Sequence, residues 1–192
     1  MTVVSFVQTY LPFAQASEKY GVPALFALAQ SAIETGWGKS TPGNMMFGIK
    51  ANNNWNGKKQ LLKTTEYHSD KSRSYPEIIS IEKIGDNKYK YIVKDYFRAY
   101  NSPAESFSDH ANFLIVNKRY SNAFNYSNNP ELFAIEIAKA GYATASTYAD
   151  LLTSTIQNIK NSGVIKTVLI SGTAIAIIIG VSFAIVTNLK TK

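Results

Sequence analysis

The first part of the chain shows the apolar spacing of two helices. Between residues 4 and 20, apolar side chains recur every three or four positions, which predicts a helix despite Pro12. Gly21 interrupts this pattern, and Pro23 suits the first turn of a second helix. The second helix has one apolar face, formed by Leu25, Leu28, Ala29, Ala32 and Ile33. Gly36 is a natural C-terminal stop for it.

The middle of the chain changes to the alternating pattern of β-strands. Residues with high β propensity alternate with polar ones in three stretches, Gln60–Tyr67, Glu77–Ile84 and Tyr89–Tyr96. The residues 85–87, Gly-Asp-Asn, supply a turn between the last two stretches. The pattern therefore predicts a small antiparallel sheet or a pair of hairpins.

Helical spacing returns after residue 100. Ser102 and Glu105 form the pattern of a capping box, with proline at the first helical position. Asn129 opens another helix, which Gly141 closes. A last amphipathic helix spans about residues 146–159, with inward positions at Leu151, Leu152, Thr155, Ile156 and Ile159. The sequence thus predicts an α+β domain that is mainly helical and carries a β insertion.

The C-terminal region contains an uninterrupted apolar stretch at residues 168–187. It has about the ~20 residues that a transmembrane helix needs, and it lacks the polar stripe of a core helix. We therefore expect a folded domain at 1–160, a linker at 161–167, one transmembrane helix at 168–187 and a basic tail at 188–192. Small residues recur every fourth position, at Gly172, Ala176, Gly180 and Ala184. This spacing indicates either helix-mediated self-association or a chance run in an alanine-rich span.

The net charge of +7 does not indicate a nucleic-acid-binding protein. Four of the lysines flank the apolar stretch, at Lys160, Lys166, Lys190 and Lys192. Without them the chain carries 16 basic and 13 acidic side chains, a mild balance of +3. The chain also has no cysteine, which excludes disulfides, thiolate metal sites and a cysteine nucleophile.

Glu34 is the first candidate for chemistry. It lies in the last turn of its predicted helix, where the helix dipole disfavours a carboxylate. Trp37 and Phe47 are apolar neighbours that would desolvate it, so both effects raise its pKa. A carboxyl group with a raised pKa suits a general acid. The alternative is an exposed surface glutamate. His68 and His110 have no metal-site spacing, and His110 is expected to be a structural histidine with satisfied hydrogen bonds.

Several motifs around and after Glu34 resemble those of a known family. They occur in the order ALAQSAIETGWG (27–38), FGIKA (47–51), TTEYH (64–68), FRAYNS (97–102) and GYAT (141–144). Over residues 5–158 the chain resembles glycoside hydrolase family 73, the bacterial endo-β-N-acetylglucosaminidases that cut peptidoglycan. The resemblance implies a lysozyme-like fold with a helical lobe, a β lobe and a cleft between them. The helices and β insertion expected from periodicity agree with it.

The resemblance also implies catalytic roles for three residues. Glu34 falls on the catalytic acid of the family, and Glu66 on a second carboxylate that activates water or stabilises an oxocarbenium-like centre. Tyr142 falls on a tyrosine that lines the cleft near the acid, where a phenol can hydrogen-bond the acid or an N-acetyl group. An exposed strand position is the alternative for Glu66. The motif departs from the family at Ala145 and Ser146, where an acidic residue and proline are usual.

Further residues are candidates for substrate binding. Trp37, Phe47, Trp55 and Tyr120 can present aromatic faces to sugar rings, with core packing as the alternative for each. Asn44 and Lys50 can bind polar groups of the glycan. No metal or organic cofactor is expected.

The activity implied is hydrolysis of the β-1,4 bond between N-acetylglucosamine and N-acetylmuramic acid in glycan strands. With the apolar stretch, this predicts a single-pass membrane protein whose N-terminus lacks the pattern of a secretory signal. The catalytic domain would then lie on the cell-wall side, act as a phage lysin or be carried in a viral membrane. The alternatives are a lytic transglycosylase on the same scaffold and a non-catalytic wall-binding or membrane-lesion protein.

Overall fold

The computed structural model describes residues 1–143 and 145–165. The α-helices of this part span Val3–Gln15 (α1), Ala24–Thr35 (α2), Pro103–Val116 (α3), Pro130–Lys139 (α4) and Tyr148–Asn161 (α5). The capping box predicted at α3 forms only in part. The Ser102 side chain accepts the N–H of Glu105, but the Glu105 carboxylate accepts the N–H of Asn101 instead of that of Ser102.

Helix α2 is the central helix of the fold and is buried along most of its length. It contacts α1, α4 and α5, so its small residues allow close approach on several sides. Gly36 ends it in the left-handed conformation at φ 57°, and the Gly36 N–H bonds the carbonyls of Ala32 and Ile33. This confirms the predicted stop, because a left-handed cap costs glycine no Cβ clash.

The β insertion is a three-stranded antiparallel sheet. Its strands are β1 (Lys59–His68), β2 (Glu77–Gly85) and β3 (Lys88–Arg98), in the spatial order β1-β3-β2. The predicted strands are thus confirmed to within two residues at each end. In the β1–β3 register, Glu66 lies opposite Tyr91 and Leu62 opposite Asp95, so Glu66 and Asp95 share one face of the sheet.

The helices and the sheet form two parts joined by a short segment. We call the five helices the helical lobe and residues 59–98 the sheet lobe, since the strands contact one another far more than they contact any helix. Residues 46–50, the connecting segment, touch both lobes. The Met46 N–H donates to Ser106 Oγ of α3 at 3.0 Å, and the Arg98 N–H of β3 donates to the Ile49 carbonyl at 2.9 Å.

The C-terminal side of the structure bears on two further predictions, the inward face of α5 and the linker. Leu151 was expected to face inward, but it is 47% exposed, because α5 turns the stripe of Tyr148, Leu152, Thr155, Ile156 and Ile159 to the core. Val164 and Ile165, in the predicted linker, pack against the core. In residues 1–143 and 145–165 no helix combines the length and hydrophobicity needed to cross a bilayer. The predicted transmembrane segment 168–187 and tail 188–192 lie outside the described residues.

Candidate active site

Glu34 lies in the last turn of α2, with the connecting segment beside its carboxyl group. A Cβ built on Gly48 would lie 3.5 Å from Glu34 Oε2, and Gly48 adopts a left-handed φ of 60°. A side chain at position 48 would therefore be strained by the backbone conformation, and its Cβ would be in van der Waals contact with the carboxyl group. Glycine here lets the backbone of the connecting segment approach the acid closely.

The surroundings of Glu34 favour its neutral form. The residue remains open to solvent, but protein atoms around the carboxyl displace much of its hydration. This desolvation raises the pKa of Glu34 to about 7, against an opposing hydrogen-bonding contact from Tyr148. Such a group holds a proton near neutral pH and can still reach a bound molecule.

Tyr142 packs beside this acid, but its hydroxyl group donates to a different partner. The Tyr142 hydroxyl donates to the Phe47 carbonyl at 3.1 Å. Burial, followed by the charge of Glu34, raises the pKa of Tyr142 well above its usual value, so the phenol stays neutral and lies near the acid. Its ring stacks parallel to that of Tyr148 at 6.2 Å. The proton of Tyr142 thus orients the connecting segment, and its oxygen keeps a lone pair to accept a further hydrogen bond.

Two residues that the sequence prediction missed support Glu34 from behind. Tyr148, at the start of α5, makes the contact that opposes the rise in the pKa of Glu34. Its oxygen accepts a hydrogen bond from Gln30 Nε2 at 3.0 Å. Gln30 was identifiable from its position one helical turn before Glu34, which places both side chains on one face of α2. Tyr148 carries no such local signal, because it is 114 residues away in sequence.

Glu66 lies in the sheet lobe within an ionic cluster. Lys50 Nζ is 2.7 Å from Glu66 Oε1 and 2.9 Å from Asp95 Oδ2, and Thr64 Oγ1 donates to Glu66 Oε1 at 3.3 Å. Burial lowers the pKa of Lys50, but its hydrogen bonds and ion pairs with the two carboxylates outweigh this, and the net shift is upward. Asp95 is a further residue that sequence reasoning missed; only the register of β1 and β3 brings it to the same face of the sheet as Glu66, where Lys50 bridges the two carboxylates.

The connecting segment borders both carboxyl groups. Gly48 lies against Glu34, and Lys50, two residues later, holds Glu66. Two residues of extended chain span at most about 7 Å between their Cα atoms. Glu34 and Glu66 themselves share no hydrogen bond, so the segment separates a largely desolvated acid on one side from an ion-paired carboxylate on the other.

The structure places three of the predicted sugar-binding aromatic residues in packing contacts. Phe47 is 2% exposed and Tyr120 1% exposed, so neither ring face is open to a sugar, contrary to the prediction. Phe47 stacks on His110 at 3.7 Å with nearly parallel rings, and Tyr120 packs on Tyr142 at 6.0 Å. Trp37 lies edge-on to Phe6 in the core of the helical lobe and is only partly buried.

Asn44, Trp55 and Lys50 lie in three different surroundings. Asn44 Nδ2 donates to the Tyr100 carbonyl at 3.0 Å, which is a role in shaping the backbone. Trp55 lines a separate cavity of about 460 Å³, together with residues of α3. The guanidinium of Arg98 lies 4.4 Å from the Trp55 ring and donates twice to Asp109, at 2.8 Å each. Of the predicted substrate-binding side chains, Lys50 is the one in contact with a candidate catalytic carboxylate.

His110 differs from its prediction. It is fully buried, and neither ring nitrogen has a hydrogen-bond partner among the described residues, so it is not a satisfied histidine. Burial lowers the pKa of His110 to about 3, and the ring is therefore neutral. Its stacking on Phe47 supports the connecting segment from the side of α3. No cluster of three or more metal-ligating side chains occurs in residues 1–143 and 145–165.

Comparison with known proteins gives a consistent set of matches. Residues 11–161 match the family described as mannosyl-glycoprotein endo-beta-N-acetylglucosaminidase. The peptidoglycan hydrolase FlgJ of Pseudomonas aeruginosa is 40% identical over 152 residues, which cover 75% of this chain and 34% of that protein. The peptidoglycan hydrolase FlgJ of Vibrio cholerae is 39% identical over 153 residues, covering 76% of this chain and 40% of that protein. The chain thus spans well under half the length of these relatives.

Solved structures give the same result. The glycoside hydrolase domain of Salmonella typhimurium FlgJ superposes with a TM-score of 0.64 at 30% identity, covering 90% of this chain and 98% of that domain. A peptidoglycan hydrolase mutant from Sphingomonas sp. A1 superposes with a TM-score of 0.61 at 30% identity, covering 86% of this chain and 97% of that one. These likenesses confirm the mixed helical and sheet fold that the sequence predicts.

Proposed function

The chain belongs to the glucosaminidase family, and from this premise we propose that it is a peptidoglycan hydrolase that cleaves the glycan strand. The bond cleaved is the β-1,4 linkage between N-acetylglucosamine and N-acetylmuramic acid. The observation that supports this most directly is Glu34, a solvent-accessible carboxyl group whose pKa is raised to about 7 by desolvation. At neutral pH such a group is partly protonated and can donate to a leaving oxygen.

In the proposed reaction the two lobes supply different groups. Glu34 donates its proton to the glycosidic oxygen as the bond from that oxygen to the anomeric carbon breaks. Glu66, held as an ion pair by Lys50, assists on the sheet-lobe side. It either takes a proton from the attacking water or stabilises the positive charge at the sugar ring. Tyr142 donates a hydrogen bond to the Phe47 carbonyl and so positions the connecting segment between Glu34 and Glu66. Water adds to the anomeric carbon, and a reducing end is formed.

The test uses the full chain on purified peptidoglycan. We expect clearing of the suspension and products with reducing ends, and we expect Glu34→Gln to abolish clearing without loss of fold. Anhydro-muramyl products would instead establish the alternative, a lytic transglycosylase, which needs one acid and no activated water. Full clearing by Glu34→Gln would refute Glu34 as the acid. Lysis of intact cells that survives this substitution would favour a membrane-lesion protein.

The proposal extends to attachment at a lipid membrane through residues 168–187. Its support is the sequence alone: an uncharged apolar stretch of bilayer-spanning length. Anchored in this way, the domain would act on the wall side or from a viral membrane, as a lysin of phage type. Membrane fractionation with protease accessibility tests this. Recovery of the full chain in the soluble fraction would contradict it.

A further inference from the structure

Gln30 and Tyr148 form a connected set with Glu34, the proposed acid. Gln30 and Glu34 are four residues apart on α2, so their side chains leave the helix on the same face. Gln30 is fully buried, and Tyr148 is 6% exposed. The Gln30 Nε2 group donates to the Tyr148 oxygen at 3.0 Å, and the Tyr148 hydroxyl lies close enough to the Glu34 carboxyl to influence its pKa. Tyr148 is therefore placed between the two side chains of α2.

The hydrogen bond from Gln30 determines where the hydrogen of Tyr148 can point. A phenol has one hydrogen to donate and lone pairs that accept. Because Gln30 occupies an acceptor position on the oxygen, the hydrogen of Tyr148 is left for another acceptor. The Glu34 carboxyl lies near this hydroxyl and can accept the hydrogen. The parallel packing of the Tyr148 ring on Tyr142 holds the phenol in this place.

We propose that Gln30 and Tyr148 act as a relay that fixes the proton of Glu34 on one of its two oxygens. The relay rests on the proposed function, in which Glu34 is the general acid. The Tyr148 hydroxyl donates to one carboxyl oxygen, so the acidic proton occupies the other oxygen, from which it is transferred to the glycosidic oxygen. When the proton leaves, the same contact becomes a charge-assisted hydrogen bond to the carboxylate. It therefore strengthens as the reaction proceeds, which lowers the barrier rather than only aiding substrate binding. Tyr148 is thus a positioning residue.

The test is the pH profile of the full-chain Tyr148→Phe variant on soluble glycan-strand fragments. We expect kcat to fall about ten- to a hundredfold, as for loss of a hydrogen bond to a charged group, with KM nearly unchanged. The contact with Tyr148 lowers the pKa of Glu34, so its loss raises that pKa and moves the basic limb of the profile to higher pH. A basic limb that does not move would overturn the relay, whatever the loss of rate.

Matched variants separate the relay from ordinary packing. Phenylalanine at position 148 keeps the ring that packs on Tyr142. Tyr10→Phe removes the hydroxyl of another buried tyrosine, one that has no hydrogen-bond partner in the described part of the chain, and should leave the profile unmoved. Gln30→Met should shift the limb in the wild-type background and have no further effect in Tyr148→Phe. Independent, additive shifts would contradict a relay.

A measurement without substrate distinguishes failure of the relay from failure of the proposed function. Carbon-detected NMR titration reports the pKa of the Glu34 carboxyl directly. We expect a higher pKa in Tyr148→Phe than in the unmodified chain, even if neither protein cleaves peptidoglycan. An unchanged pKa would overturn the relay while leaving the hydrolase proposal standing.

Discussion

The helical lobe and the sheet lobe each bring one glutamate to the connecting segment, but they surround it in opposite ways. Glu34 lies beside Gly48 and Tyr148, where protein atoms displace much of its hydration. It forms no ion pair among the described residues. Glu66 meets Lys50 at 2.7 Å, with Asp95 on the other side of the same ammonium group. Desolvation therefore favours the neutral form of one carboxyl group, and the other is held in an ion pair.

In the proposed reaction, this difference gives two identical side chains different tasks. Glycoside hydrolysis needs one carboxyl group that gives a proton and one that is ionised. Different environments can give the two carboxyl groups these two roles although both residues are glutamates. The helical lobe does so with apolar packing, and the sheet lobe does so with Lys50. Substitutions in each lobe can show whether this contrast governs activity and stability.

The largest expected effect is a difference in activity between the two glutamine variants. Glu34→Gln removes the only proton that the proposed acid can give, and we expect a rate loss of about 10³-fold or more. Glu66→Gln keeps the shape and a hydrogen-bond acceptor beside Lys50, and we expect a smaller loss of about 10- to 100-fold. Initial rates of reducing-end formation on peptidoglycan, measured at one pH, give the ratio.

The pH dependence is the control for this ratio. The basic limb of the rate profile should lie near pH 7 and should persist in Glu66→Gln, because Glu34 must be protonated to act. Equal losses in the two variants, or a basic limb that disappears in Glu66→Gln, would show that the lobes do not divide the work as proposed.

A smaller effect is expected from Lys50→Met, which removes the cation from the sheet lobe alone. Glu66 and Asp95 would then be two half-buried carboxylates without their shared partner, so Glu66 would shift from its position. We expect the rate to fall about tenfold, while the basic limb set by Glu34 stays in place. Kinetics across pH measure both quantities.

Two variants control for loss of charge in the sheet lobe. Lys94 is about as exposed as Lys50 and forms an ion pair at 2.8 Å with Glu77, which is not a candidate catalytic residue, so Lys94→Met should leave the rate unchanged. Asp95→Asn leaves Lys50 bound to Glu66 and should change the rate less than Lys50→Met does. A loss in Lys94→Met as large as that in Lys50→Met would mean that overall charge, and not this cluster, matters.

Local patterns were sufficient to predict most of the architecture and the position of Glu34 at a helix end. The helix ending at Gly36 places Glu34 at a helix terminus, and the alternation in residues 60–96 gives the strands. These features depend on neighbours a few residues apart, so periodicity and capping residues reveal them. The face of α5 was misjudged at Leu151, since its neighbour Leu152 is equally apolar and only packing selects between them.

The partners of the two glutamates could not be predicted in the same way. Tyr148 reaches Glu34, and Asp95 reaches Lys50, through contacts between elements far apart in sequence. The sequence also cannot distinguish an aromatic ring that lines a cleft from one that fills a core. Phe47 shows this: its ring is buried against His110, and its carbonyl is the group that faces Tyr142.

The smallest expected effect concerns stability, and it differs between the lobes. Desolvation raises the pKa of Glu34 to about 7 from its ordinary value of 4.5, so folding favours its protonated form. The cost of the ionised form is absent below about pH 4.5, grows as the pH rises and is complete above about pH 7. Glu34→Gln should therefore raise Tm by a few degrees at pH 8 and leave it nearly unchanged at pH 4. Glu66→Gln loses an ion pair and should not raise Tm at pH 8. Thermal unfolding of both variants and the unmodified chain at the two pH values decides this: a Tm gain for Glu34→Gln that is equal at both would show that the charge of Glu34 is not what costs stability.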